Sequence, residues 1–250
     1  MNKIKTYSKS SEEELANQKS FYDLYKNSPI IEDETLNNLG LFMNRKNLSR
    51  IIFMHDMYKR ILDVNGIVIE FGVRWGQNLS LFQNFRAMYE PFNHTRKIVG
   101  FDTFEGFPKT VSKDGNSDDA FSGSYSVTDK YEEYLEQILE HHEKNSPISH
   151  LKKFELIKGD ASKTFEQYLK QNPETIVALA YFDFDIYDPT KKCLELIKSR
   201  LGKGSIIGFD ELNHSKFPGE THAFDEVLGI SNYKIFRSPI TPLPSYIVIE

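Results

Sequence analysis

Asn65-Gly66-Ile67-Val68-Ile69-Glu70-Phe71-Gly72-Val73-Arg74-Trp75-Gly76 is a turn, a nearly continuous apolar run and a glycine loop in succession. A run apolar on both parities suits a strand buried on both faces of a parallel sheet. Further runs follow at Lys97–Asp102, Phe154–Ile157, Ile176–Phe184 and Ser205–Phe209, with helical stretches near Leu79–Tyr89, Lys163–Lys170 and Pro189–Arg200. Strands alternating with helices predict a doubly wound α/β fold. Tyr233–Arg237 and Tyr246–Glu250, joined through Pro239, Pro242 and Pro244, add a hairpin at one edge. The expected sheet is mostly parallel and seven-stranded.

Upstream lies a helical extension, residues 1–62. Ser11-Glu12-Glu13-Glu14 reads as a capping box opening a helix to about Lys26. Leu48, Ile51, Ile52, His55, Tyr58 and Leu62 suggest a second helix. The α/β domain spans 63–250, with an insertion at about 105–150. Residues 105–128 are rich in Gly, Ser and Asp, which fits either a lid over a ligand or a tolerated surface insertion. Tyr131–His142 reads as an amphipathic helix that leaves His141 and His142 exposed.

The chain has 250 residues, a net charge of -5, 39% hydrophobic residues and 13% aromatic residues. That excludes a disordered chain, and the acidic balance argues against a duplex nucleic-acid binder. No apolar run approaches the roughly 18 residues of a membrane span, and no apolar leader opens the sequence. A cytoplasmic protein with no membrane or nucleic-acid partner is expected. The single Cys193 excludes an intrachain disulfide and reads as a small core residue.

Open α/β sheets bind ligands at the carboxyl ends of their strands. The first strand ends with Glu70, then Gly72 and Gly76, without the G-x-G-x-x-G of a dinucleotide site. An acid there repels a pyrophosphate but suits S-adenosylmethionine, with its sulfonium and ammonium; a tight turn alone would need Gly72 but not Glu70. Asp102 closes the second strand and can accept both ribose hydroxyls, or cap the next turn. Asp160, after the third strand, can contact an adenine amino group or cap the following helix. Trp75 can shield the cofactor or simply pack.

Asp183 and Asp185 close the fourth strand, two apart and so on one face. Asp210 and Glu211 close the fifth. Several carboxylates in one pocket repel unless a cation or proton joins them, and all-oxygen donors suit a hard ion such as Mg²⁺. Asp188-Pro189 reads as a helix N-cap, so Asp188 is structural. His214 and His222 follow the cluster and are candidate substrate contacts.

The segments Ile69-Glu70-Phe71-Gly72-Val73-Arg74-Trp75-Gly76, Gly100-Phe101-Asp102-Thr103-Phe104-Glu105-Gly106-Phe107-Pro108, Asp183-Phe184-Asp185-Ile186-Tyr187-Asp188-Pro189-Thr190 and Phe209-Asp210-Glu211 with Phe217-Pro218-Gly219-Glu220 occur in order. Together they resemble the macrocin O-methyltransferase (TylF) family of class I S-adenosylmethionine-dependent enzymes, from about residue 60 onward. The resemblance implies a Rossmann-like class I fold and methyl transfer to a sugar hydroxyl, on a nucleotide-linked deoxysugar or a glycosylated metabolite. It implies Mg²⁺ held by Asp183 and Asp210, with Glu211 as third ligand, and Asp185 as general base. Many relatives read Asp-Asp where this chain has Asp210-Glu211. The expected cofactor-binding set is Glu70, Gly72, Trp75, Gly76, Asp102, Thr103, Asp160, Ala161 and Asp183. Two rivals remain: a glycosyltransferase using Asp183-x-Asp185, and a non-catalytic cofactor-binding scaffold. The helical N-terminus makes a homo-oligomer plausible.

Overall fold

A computed structural model describes residues 10–117 and 120–250. The N-terminal extension holds α1 (Glu12–Lys26), α2 (Glu32–Thr35), a 3₁₀ stretch over Leu36–Phe42 and α3 (Arg45–Lys59). Ser11 and Glu14 form the expected capping box at α1. No residue of α1 is buried, whereas α3 buries Phe53, Met54, Met57 and Tyr58. Of the stripe read from sequence, Tyr58 is buried and Ile51 and His55 are half-buried, but Leu48, Ile52 and Leu62 are exposed, and Phe53, Met54 and Met57 complete the buried face.

The sheet comprises β1 (Ile67–Phe71), β2 (Ile98–Asp102), β3 (Phe154–Lys158), β4 (Val177–Phe182), β5 (Leu201–Phe209), β6 (Phe236–Arg237) and β7 (Ser245–Val248). Its order is β3-β2-β1-β4-β5-β7-β6, parallel through β5, with β7 antiparallel to β5 and β6 antiparallel to β7. The seven-stranded, mostly parallel sheet is as expected, with the terminal hairpin at one edge. β6 is shorter than read: only Phe236 and Arg237 find partners, in Tyr246 and Ser245, after a 3₁₀ turn at Ile230–Asn232.

The covering helices are α4 (Gln77–Tyr89), α5 (Tyr131–Lys144), α6 (Ala161–Gln171), α7 (Tyr187–Ile197) and α8 (Gly219–Val227). Strand alternation sorts the core into two layers. Ile67, Ile69 and Phe71 pack with Phe165, Leu194, Phe224 and Cys193 beneath α6, α7 and α8. Val68, Ile98, Leu179, Tyr181 and Ile206 pack with Met54, Tyr58, Phe82 and Leu139 beneath α3, α4 and α5. Counting onward by twos from the second set reaches Glu70, Asp102, Asp183 and Asp210. Four acids from four adjacent strands thus emerge on the α3–α4 face. The strand order reverses between β1 and β4, the usual place for a ligand crevice.

Two local expectations need correction. β4 ends at Phe182, and Asp185 adopts a left-handed conformation at φ 61, so Asp183 and Asp185 do not share a strand face. Asp188 does not cap α7: the helix starts at Tyr187, and Asp188 is exposed inside the first turn. The cap comes from the insertion, where Asp114 Oδ1 accepts the Tyr187 N–H at 2.6 Å. His141 is exposed as read, but His142 is half-buried, and burial lowers its pKa. Among the described residues, no helix is long and apolar enough to cross a membrane.

Candidate active site

A cavity of about 410 Å³ opens at the β1–β4 crevice. Its wall includes Gly72, Trp75, Gly76, Asp102, Thr103, Asp160, Ala161, Asp183, Asp185, Asp210 and Glu211. Eleven residues singled out from sequence thus meet at one place. Glu70, His214 and His222 are not on that wall.

Glu70 sits one layer behind it. Its Oε1 accepts from Asn78 Nδ2 at 2.8 Å, and Asn78 lines the cavity. Its Oε2 is buried with no hydrogen-bond partner among the described residues. Burial drives the Glu70 pKa well up, against the hydrogen bond from Asn78. Gly72 explains how β1 can lie so near β4: a Cβ there would stand 2.1 Å from the Asp183 carbonyl oxygen, and φ is +89. Gly76 opens α4 at φ +76, where a Cβ would meet Leu135 at 2.3 Å. Gly72 is thus demanded by backbone packing and Gly76 by its left-handed conformation.

Asp102 is held by backbone dipoles. Oδ2 accepts the Arg74 N–H at 2.8 Å and Oδ1 the Phe104 N–H at 2.5 Å. Burial raises its pKa, and these bonds oppose the rise. The carboxylate keeps acceptor capacity for a further donor. Thr103 turns its hydroxyl to the Gly106 carbonyl at 2.8 Å, closing the turn. Asp160 caps α6, accepting the Ser162 N–H at 3.0 Å, and also lines the cavity. Trp75 packs edge-on against Tyr131 of α5, with ring centroids 4.8 Å apart.

The acids at β4 and β5 are arranged differently. Arg50 of α3 donates from Nη2 to Asp183 Oδ2 at 2.8 Å and from Nη1 to Asp210 Oδ1 at 2.6 Å. Asp210 Oδ1 also accepts the Tyr181 hydroxyl at 2.6 Å. Asp183 and Asp210 are therefore close enough to share one cation. Burial, and then the charge of Asp210, push the Asp183 pKa up to about 7 despite Arg50. Burial likewise lifts Glu211 to about 8, and Asp185 and Glu220 well above the carboxylate range. For Arg50, burial works against protonation, but Asp210, Tyr181 and Asp183 outweigh it and hold the guanidinium charged.

The expected three-acid metal centre is not assembled. Among the described residues, no three His, Cys, Asp or Glu side chains stand together as a cation cage. Arg50 fills the gap between Asp183 and Asp210, and Glu211 turns its Oε2 to His214 Nδ1 at 3.1 Å. His214 is buried, stacks on Phe217, and serves Glu211; His222 is exposed on α8.

No family model and no curated protein matches the chain. Solved structures do. The crystal structure of CalS11, a calicheamicin methyltransferase, is 40% identical with a TM-score of 0.94, over 99% of this chain and 97% of that one. The apo structure of CalS11, described as a TDP-rhamnose 3'-O-methyltransferase, is 39% identical with a TM-score of 0.85, over 97% and 96%. The chain belongs to the CalS11 family of class I S-adenosylmethionine-dependent sugar O-methyltransferases. The O-methyltransferase NovP, 16% identical with a TM-score of 0.59 over 80% and 79%, shares the fold.

Membership in the CalS11 family sets aside the glycosyltransferase and scaffold readings of Asp183-x-Asp185. It also frames what the sequence reading missed in this sugar O-methyltransferase: Arg50, Asn78, Tyr181 and Glu220. Arg50 had a signal. It lies three, four and seven residues before Phe53, Met54 and Met57, a charge in line with an apolar stripe. Glu220 is fully buried; its Oε1 accepts the Phe184 and Asp185 N–H groups at 3.2 and 3.3 Å, and its Oε2 the Glu211 N–H at 3.1 Å. It ties together the loops carrying Asp185 and Glu211, a role nothing in the local sequence announces.

Proposed function

We propose that this enzyme methylates a hydroxyl of a deoxysugar, carried on a nucleotide or on a glycosylated metabolite, with help from a divalent ion such as Mg²⁺, as in the macrocin O-methyltransferase (TylF) group. The observation that carries this reading is the pairing of Asp183 and Asp210 on one cation beside buried Asp185. CalS11, described as acting on TDP-rhamnose, supports a nucleotide-linked deoxysugar as substrate.

The wall offers acceptors to a cationic nucleoside and two acids, not three, to an ion. Asp102 on the cavity wall keeps acceptor capacity for a cationic nucleoside, and Glu70 holds Asn78 behind it. Asp183 and Asp210 offer hard oxygens, and Mg²⁺ commonly takes one or two carboxylates plus water and substrate. When bound, S-adenosylmethionine supplies an activated methyl on sulfur, and the ion lowers the pKa of the accepting hydroxyl.

The protein's part is then as follows. Asp102 accepts the ribose hydroxyls and Asp160 the adenine amino group. Asp185 takes the proton from the sugar hydroxyl at a carboxylate oxygen. Burial and the neighbouring Glu211 and Asp183 raise its pKa, so it serves as base only in its ionised form. Glu220 fixes the Asp185 backbone, so the base is positioned before substrate arrives. The insertion at about 105–150 acts as a lid: Phe107, Pro108 and Tyr125 contribute to the cavity wall and exclude water, while Asp114 anchors the segment to α7. We also read the exposed α1, with Tyr22, Leu24 and Tyr25 on its surface, as a self-association element of a cytoplasmic homo-oligomer.

The test is a screen of nucleotide sugars and glycosylated metabolites for a mass gain of one methylene, with and without chelator. Methylation of a sugar hydroxyl that chelator abolishes supports the reading. Methylation indifferent to chelator removes the ion, and transfer to a non-sugar acceptor alone removes the substrate class.

A further inference from the structure

The carboxylate pair at the ends of β4 and β5 is served by a side chain from the far N-terminal helix. Arg50 spreads its two terminal nitrogens over Asp183 Oδ2 and Asp210 Oδ1. The planar guanidinium fork suits this geometry, and a bare lysine ammonium would not span it in the same way. Two part-buried carboxylates that meet one guanidinium need a cation, because uncompensated charge there is strongly unfavourable. Arg50 supplies that cation from within the chain.

We propose that Arg50 is a built-in counter-cation that exchanges with the divalent ion, so that the enzyme carries one or the other at Asp183 and Asp210. This inference rests on the metal-assisted reading above and deepens it. An ion bound to the pair would draw on the oxygens that Arg50 now uses, and a second positive charge at the same spot would be repelled. Arg50 has somewhere to go. Its side chain is 27% exposed, and the first turn of α3 before it is solvent-exposed, so it can swing outward without disturbing the buried stripe from Phe53 onward.

The exchange reaches the other half of the crevice. Arg50 Nε donates to Asn78 Oδ1 at 3.2 Å, and Asn78 Nδ2 donates to Glu70 Oε1 at 2.8 Å. Departure of Arg50 removes one of the two contacts that fix the Asn78 amide, which in turn holds Glu70. Ion loading and cofactor binding are thereby linked through three side chains, and by thermodynamic necessity the linkage is reciprocal.

The experiment compares wild type with Arg50→Met and Arg50→Lys, by calorimetric titration with MgCl₂ and by thermal unfolding in chelator and in Mg²⁺. Arg50→Met is expected to bind Mg²⁺ about tenfold more tightly than wild type, the scale on which one charge-assisted hydrogen-bonded partner acts. It is expected to melt below wild type in chelator and to recover with Mg²⁺, while wild type gains less. Arg50→Lys is expected between the two. Mg²⁺ affinity in Arg50→Met that is unchanged or weaker overturns the exchange, as does an unaltered melting temperature in chelator. Failure of Arg50→Met to fold except with Mg²⁺ supports it; if that variant folds in neither condition, Arg50→Lys decides, and a wild-type dissociation constant there overturns it. Absence of Mg²⁺ binding in every protein also overturns it. S-adenosylhomocysteine titrated into the same samples then shows separately whether the methyltransferase reading stands.

Discussion

The two sides of the crevice neutralise their acids by different means. On the β1–β2 side, Glu70 and Asp102 are met by dipoles: the Asn78 amide and the N–H groups of Arg74 and Phe104. On the β4–β5 side, Asp183 and Asp210 are met by a full charge, with the Tyr181 hydroxyl in support. Backbone dipoles are fixed by the fold and cannot leave. A long cationic side chain can. On the proposed reading, the first side is a preformed receptor for a nucleoside and the second a place where cations trade.

The sharpest way to break that division is Asp183→Ala. Turnover is expected to fall by about 10³-fold or more, the scale of losing charge stabilisation at a reacting oxygen. S-adenosylhomocysteine affinity, measured by calorimetry, is expected to stay within a few-fold. Loss of both together would mean that the two sides are one structural unit. The converse substitution is Asp102→Ala. Removing an acceptor of charge-assisted or ribose hydrogen bonds is expected to weaken S-adenosylhomocysteine by about 10–100-fold. Mg²⁺ affinity of that variant should be unchanged, and a parallel loss would erase the distinction.

The same contrast accounts for what the sequence disclosed. Glu70, Asp102, Asp183 and Asp210 were legible because each closes an apolar run, and strand parity then puts them all on one sheet face. The capping box at Ser11 and Glu14 was legible because it is wholly local. Asp185 was found, but its setting was not: a left-handed residue after a strand breaks the parity on which the reading relied. Asp188 was misread for a related reason. A local Asp-Pro pair looks like a cap, yet Asp114, 73 residues before Tyr187, makes the contact. Arg50 is the extreme case, since its partners lie 133 and 160 residues away. Contacts closed by tertiary packing leave no spacing to read, apart from a charge in line with an apolar stripe.

Acidity offers a subtler probe of the β4–β5 side. Asp183 and Glu211 are raised to about 7 and about 8, while in the unfolded chain they ionise near pH 4. Between those limits the folded protein holds more protons than the unfolded one, so stability falls as pH rises. Melting temperatures in chelator are expected to be lower at pH 8 than at pH 6. Cation binding requires the ionised carboxylates, so the increment from Mg²⁺ should be larger at pH 8. An increment independent of pH would show that these two carboxylates do not receive the ion.

The smallest effect is expected at His222, and it separates neighbours in sequence from neighbours in space. His214 and His222 both follow Asp210 and Glu211, and both attracted a substrate role. The fold sends them elsewhere. His214 is buried against Phe217 and bonded to Glu211, so His214→Ala removes a partner that orients a cavity-wall acid. His222 is exposed on α8 and absent from the wall. His222→Ala is expected to leave kcat/KM within about twofold, as surface substitutions away from special features generally leave stability nearly unchanged. His214→Ala should lower kcat/KM more than His222→Ala does, through a shifted pH profile and not through KM alone. A large loss at His222 with His214 silent would place substrate over α8, outside the cavity, and would move the acceptor away from the side where the cations trade.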